Sequence, residues 1–141
     1  MSKPSERPLW ALAKAPSLAE LEALAESAFA RLPSQFRQLC ANLVIRVDDF
    51  PTDEVLRELG LESEFDLLGL FQGVGLPFQS ESAPVKMPNL IFLYRRPILD
   101  YWAEHDDETL AAIVTHVLIH EIGHHFGLSD ADMMAIERAA G

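Results

Sequence analysis

HVLIHEIGHHFGLSD, residues 116 to 130, holds four of the chain's five histidines and sets Glu121 between two of them. On a helical wheel His124 lies about 40° from His120 and about 6 Å along the axis. Side chains four apart stand one above the other on one helix face. Two imidazoles placed so can converge on one ion, with metal–nitrogen distances near 2.1 Å. Glu121 is turned about 100° from His120 but only about 60° from His124. It therefore borders the pair without being forced to ligate, where a base is needed to reach a water activated by the metal. This is the HExxH arrangement of a hydrolytic metal site.

A tetrahedral catalytic site needs three protein donors. His116 shares the stripe, but about 12 Å of helix rise separates it from His124, too far for both to join one ion. It reads as a core or supporting histidine. His125 points about 100° away from His124. The helix cannot supply three donors, so the chain must turn back, and Gly127 permits the turn by adopting positive φ without penalty. Asp130 is the first ligand-type side chain after it, completing HExxHxxGxxD; Glu137, farther along the last helix, is the alternative donor. Ser129 and Asp132 also form a capping-box pattern, which would make Asp130 simply a first-turn carboxylate. Chance alone would put HExxH in roughly one chain per few hundred of this length, and the added Gly and Asp lower that about a hundredfold.

Upstream of this stretch, Leu110, Ile113, Val114, Val117, Leu118 and Ile122 supply a buried helical stripe. Asp106, Asp107 and Glu108 are expected to open that helix at the positive end of its dipole. Residues 1 to 16 carry Pro4, Pro8 and Pro16 and read as a flexible arm before a domain over 17 to 141. Ser17 with Glu20 is a capping box, followed by Leu18, Leu21, Ala25, Ala28, Phe29 and Leu32 at helical spacing up to Pro33. A short helix is expected over Ser34 to Cys40. LVIRV, Leu43 to Val47, is a strand. Thr52 caps a helix that Gly60 stops. DLLGLFQGVGLPFQ, Asp66 to Gln79, predicts a strand running into a turn or bulge, and 80 to 88 a polar loop. NLIFLYR, Asn89 to Arg95, is the clearest later strand, and Pro97 is placed to start a helical stretch through Glu104. Asp130 to Ala140 is the last helix, with Met133 and Met134 read as core.

The 141 residues suit one domain with a real core. A net charge of −11 repels phosphate backbones and anionic lipid, so nucleic-acid and membrane partners are disfavoured. The single cysteine, Cys40, excludes an intrachain disulfide and a cysteine-based zinc cluster. Pro8, Lys14 and Pro16 break the apolar run that a signal peptide would need, so a cytoplasmic location is expected. The glycines 69, 73 and 75 do not have the spacing of a phosphate-binding loop.

At HEIGHHFGLSD the chain resembles the zincin metallopeptidases, and more narrowly the metzincin-like branch with HExxHxxGxx(H/D). GLFQGVGLP, NLIFLYRRPILDYW and the helix ending HEIGHHFGLSDADM resemble the small bacterial zincin-like metallopeptidases, over roughly residues 34 to 137. The resemblance implies a minimal single-domain α+β fold with a small mixed β-sheet packed on the active-site helix. It implies Zn2+ held by His120, His124 and Asp130, with Glu121 as general base in peptide hydrolysis. One departure matters. Metzincins carry a methionine turn well downstream of the third ligand, whereas Met133 and Met134 follow too closely, so the floor of this site must be built differently. By the same resemblance an extended substrate pairs with an edge strand, for which Asn89–Arg95 and Leu67–Phe71 are candidates. Tyr94, Arg95, Arg96 and Tyr101 are candidate oxyanion stabilisers. The competing expectations are a metal-containing peptide- or protein-binding module that does not cut, and a metal-dependent hydrolase of a non-peptide substrate; the intact Glu121 disfavours the first and the acidic surface the second. Peptide or protein is the expected partner. The residues leave the oligomeric state open.

Overall fold

The computed structural model describes residues 9–40, 42–72 and 89–140. Helix α1 spans Leu18–Ala30 and starts at the expected box: Ser17 Oγ accepts from the Glu20 amide at 3.1 Å, and Glu20 Oε1 from the Ser17 amide at 3.1 Å. Leu21, Ala25 and Ala28 form its buried stripe. The short α2, Ser34–Arg37, continues as a 3-10 turn through Cys40. Strand β1 is Val44–Asp48 and helix α3 is Asp53–Leu59. Thr52 Oγ1 caps α3 and Gly60, at φ +68°, ends it, the two termini that the sequence marks.

Strands β2, Gly69–Gln72, and β3, Leu90–Tyr94, complete a mixed sheet of order β1-β3-β2. β1 runs parallel and β2 antiparallel to the central β3. The register aligns Ile45, Ile91 and Phe71 in one row and Val47, Leu93 and Gly69 in the next. Ile45, Ile91, Leu93 and Phe71 are buried, as period-2 alternation requires of the face that meets a helix layer. The fold is therefore α+β, with the sheet against helices, as expected. Gly73, Gly75 and the loop 80–88 lie outside the described residues.

Two further helices close the sheet. α4, Arg95–Glu104, begins directly after β3, so Pro97 is its third residue rather than its first. α5, Leu110–His125, is capped by Thr109, whose Oγ1 accepts from the Ala112 amide at 3.1 Å. Asp106, Asp107 and Glu108 therefore precede the cap, and the first turn of α5 carries no acid. The reason is local: a threonine hydroxyl satisfies a free amide directly, and the carboxylates only add a field from outside. Ile113, Val114, Val117, Leu118, Ile119, Ile122 and Gly123 of α5 are buried against α1, β2 and α6. Among the described residues no helix is long and apolar enough to cross a membrane.

The exit from α5 decides where the last helix goes. The Gly127 amide donates to the His124 carbonyl at 3.2 Å and the Leu128 amide to Gly123 O at 2.9 Å, with Gly127 at φ +77°. This is a Schellman-type stop that requires a left-handed residue. Helix α6, Asp130–Ala140, then folds back along α5. Ser129 caps it, accepting from the Asp132 amide at 3.1 Å. Met133 is fully buried, but Met134 is 51% exposed, because only one of two adjacent helical residues can face α5.

Candidate metal and catalytic centre

The candidate side chains His120, Glu121, His124, Asp130 and Glu137 all lie on α5 and α6. The His120 and His124 rings are 5.6 Å apart between centroids and nearly perpendicular, 82°. His120 is half-buried and His124 exposed. Glu121 is half-buried beside them, and burial raises its carboxyl above the ordinary 4.5, with His124 pulling the other way.

Next to these residues opens a cleft of about 290 Å³, lined by Leu67, Leu68, Tyr101, Val117, His120 and Glu121 among others. Tyr94 is 3% exposed; burial, then the charges of Asp48 and Glu121, push its hydroxyl up to about 12, so it stays protonated. Arg95 is engaged elsewhere, with Nε on Pro16 O at 2.6 Å and Nη1 on Asp49 Oδ1 at 3.1 Å. Arg96 lies over the Phe50 ring, 5.6 Å from its centroid. Tyr101 lines the cleft with its ring stacked at 3.7 Å on His105. His105 is half-buried there and its Nδ1 is 2.7 Å from Tyr101 O.

Among the described residues, the trio whose ligand atoms all lie within 4.8 Å of one another is His116, His120 and Glu137. Glu137 Oε1 is 2.8 Å from His120 Nε2 and 2.8 Å from His116 Nδ1. The His116 and His120 rings stack at 3.9 Å. Of the expected donors, His124 on α5 and Asp130 in the first turn of α6 are both exposed and lie outside that trio, which holds His120 alone of the three. His125 is exposed and rests its ring 4.4 Å from that of Phe71. The pairing of Glu137 with two histidines is invisible in sequence, since 17 residues separate Glu137 from His120. The only hint was that Glu137 is a ligand-type side chain on the helix after the turn.

The comparison with known families decides the assignment. A model described as zincin-like metallopeptidase matches residues 40–140, most of the chain. The chain belongs to the zincin-like metallopeptidase family. No curated protein matches it significantly, so the family model carries the assignment. The donor chemistry of this zincin-like site fits the family's metal. His116 and His120 on adjacent turns, with Glu137 at 2.8 Å from each, make a set of two histidines and one carboxylate, one of the usual environments of catalytic zinc. In this zincin-like chain neither methionine of α6 forms a separate turn, since both lie within that helix. Met133 instead packs into α5 at Gly123, where an added Cβ would stand 2.6 Å from its sulfur.

Proposed function

We propose that the protein is a zinc metallopeptidase in which His120 and His124 hold the ion, a carboxylate of α6 completes the set, and Glu121 is the general base. The observation that carries this reading is the half-buried Glu121 on the same two helical turns as His120 and His124 and at the wall of the cleft. Zinc in such a site supplies a Lewis acid that polarises the scissile carbonyl and makes a bound water acidic enough to be a nucleophile near neutral pH. Glu121 takes the proton of the attacking water and returns it to the departing amine. The third donor is Asp130, at the start of α6, or Glu137, two turns further on.

β2 offers the substrate a place. It pairs with β3 along one edge, and among the described residues no strand covers the other. An extended peptide added there would run beside α5, against which β2 packs. β3, the other candidate, is central and already paired on both sides. The net charge of −11 favours a peptide or protein substrate over nucleic acid. The lone, buried Cys40 fits a reducing, cytoplasmic setting.

The test measures bound zinc and cleavage of a degenerate peptide library for the wild type and Glu121→Gln. One zinc per chain in both, with cleavage by the wild type alone, is expected. Zinc without cleavage in either would favour a binding module on the same fold, and no zinc in the wild type would overturn the metal site altogether.

A further inference from the structure

We infer that the cleft beside Glu121 selects peptides carrying a lysine or arginine a few residues from the cut bond, and that Glu108 is the residue that reads it. The inference rests on the peptidase reading above and deepens it by naming the substrate class. From α5 the cleft is lined by Ile113, Val117, His120 and Glu121, at positions i, i+4, i+7 and i+8 of one helix face. It therefore follows α5 from the HExxH turns back toward the cap at Thr109, where Glu108 joins its wall. Leu67 and Leu68 line it from the segment that leads into β2, and Asp66, the end of a 3-10 turn over Glu64–Asp66, stands beside them. Its 290 Å³ is the space of about ten liquid waters, room for one long side chain.

The fixed charges on this wall have one sign. Asp66, Glu108 and Glu121 line the cleft, and among the described residues no Lys or Arg does. Glu108 is half-buried. Among the described residues its side chain makes no hydrogen bond or ion pair; the ion pairs are Arg95 with Asp49, and Glu137 with His116 and His120. Drawing a carboxylate away from water is costly until a cation or a donor meets it. Asp66 is exposed and its Oδ2 accepts from the Ser63 amide at 3.3 Å, so it adds field at the mouth rather than a strong pair of its own.

The apolar walls decide which cation fits. Leu67, Leu68, Ile113 and Val117 suit methylenes, and the Tyr101 ring, backed by His105 at 3.7 Å, offers an aromatic surface to a cation. Lysine and arginine bring both parts, an aliphatic stem for the walls and a charged head for Glu108. An N-terminal ammonium brings no stem, and an aliphatic side chain leaves the carboxylate unanswered. About 20 Å of helix rise separates Glu108 from Glu121, which the two side chains span only in part. An extended peptide advances about 3.3 Å per residue, so the basic residue stands a few positions from the bond at Glu121.

The test is cleavage of N-acetylated peptides that carry lysine, norleucine or glutamate at one position at a time, so that side chains alone supply the cation. With the zinc-loaded wild type, one position is expected to favour lysine over norleucine about tenfold in kcat/KM, the size of a charge-assisted contact, with glutamate last. Glu108→Gln should make the lysine and norleucine peptides equal there. Glu108→Lys is the second route should the amide variant fold poorly, and it should turn the preference to glutamate. Asp107→Asn removes the same charge from an exposed acid outside the cleft and should keep the lysine preference. A wild type indifferent to lysine, a preference that survives in Glu108→Gln, or one lost equally in Asp107→Asn overturns the inference and leaves the peptidase reading standing. If the wild type cuts none of the peptides, their affinities decide. Tighter binding of the lysine peptide that Glu108→Gln abolishes then overturns the peptidase reading alone, and equal binding overturns both.

Discussion

Gly123→Ala tests how the site is assembled, because Gly123 is the point at which α6 is allowed close to the HExxH turns. A Cβ built there would lie 2.6 Å from Met133 Sδ and 2.9 Å from its Cγ. Ordinary carbon contacts are about 3.5–4.0 Å, so the helices or the methionine must yield by roughly 1 Å. Met133 is 0% exposed and cannot swing into solvent. Overpacking of this kind destabilises by about 1–3 kcal/mol. Against it, alanine is favoured over glycine inside a helix by about 1 kcal/mol. A net loss of up to about 2 kcal/mol is expected in the wild-type background.

The background then reverses the sign. Met133→Ala alone should cost about 2–5 kcal/mol, and it removes the atoms that the new Cβ meets. In that background Gly123→Ala should stabilise by about 1 kcal/mol, since only the propensity gain remains. Urea unfolding of the four proteins reads the effect as midpoint shifts at unchanged slope, with a coupling between the two sites of about 1–3 kcal/mol. Additive effects, or equal stabilisation by Gly123→Ala in both backgrounds, would refute the close approach. Met133 and Glu137 are one turn apart on α6, so displacing the methionine should also draw Glu137 from His120.

Other outcomes follow from the same contacts. Gly127→Ala should cost about 1–2 kcal/mol in urea unfolding purely through its φ of +77°, since a Cβ there meets nothing within 4 Å; a neutral effect would contradict the left-handed turn. Glu121→Gln should raise the melting temperature of the metal-free protein at neutral pH, and the gain should vanish as pH falls below the ordinary 4.5 of its carboxyl. The sign follows from burial: a raised carboxyl fits the fold protonated at low pH, and stability is lost as pH rises through its folded value, a penalty that glutamine never incurs. A gain that persists in acid would point to packing instead. Leu118→Ala, at a residue 0% exposed on α5, should cost about 2–5 kcal/mol and lower the zinc-free and zinc-loaded proteins alike. Zinc at about 100 times its dissociation constant should stabilise the wild type by about 2.7 kcal/mol against heat, and a chelator should abolish that gain.

Much of this molecule is written in short-range signals. Ser17 with Glu20, Thr52 with Gly60, and Gly127 with Ser129 mark helix ends within a few residues, because a cap is a hydrogen bond to the next turn. The stripe from Ile113 to Ile122 was legible from period, and the strands near Leu43–Val47 and Asn89–Arg95 from their β-branched and aromatic residues, each within one residue of the observed ends. So was the placement of His120, Glu121 and His124 on adjacent turns, which a helix fixes without help from the rest of the chain. Even locally, competition between signals misled: three acids pointed to the start of α5, but the hydroxyl of Thr109 formed the cap.

Tertiary structure decided everything that depends on two elements meeting. Which strand is central and which keeps an open edge follows from the pairing of β1 and β2 with β3, and neither strand's own pattern encodes it. Met133 and Met134 are indistinguishable in sequence until α6 chooses a face. The partnership of Glu137 with His116 and His120 depends on how the short connection after His125 aims one helix along another and on how near Gly123 lets it come. Periodicity says which way a side chain leaves its own helix; only packing says what stands opposite.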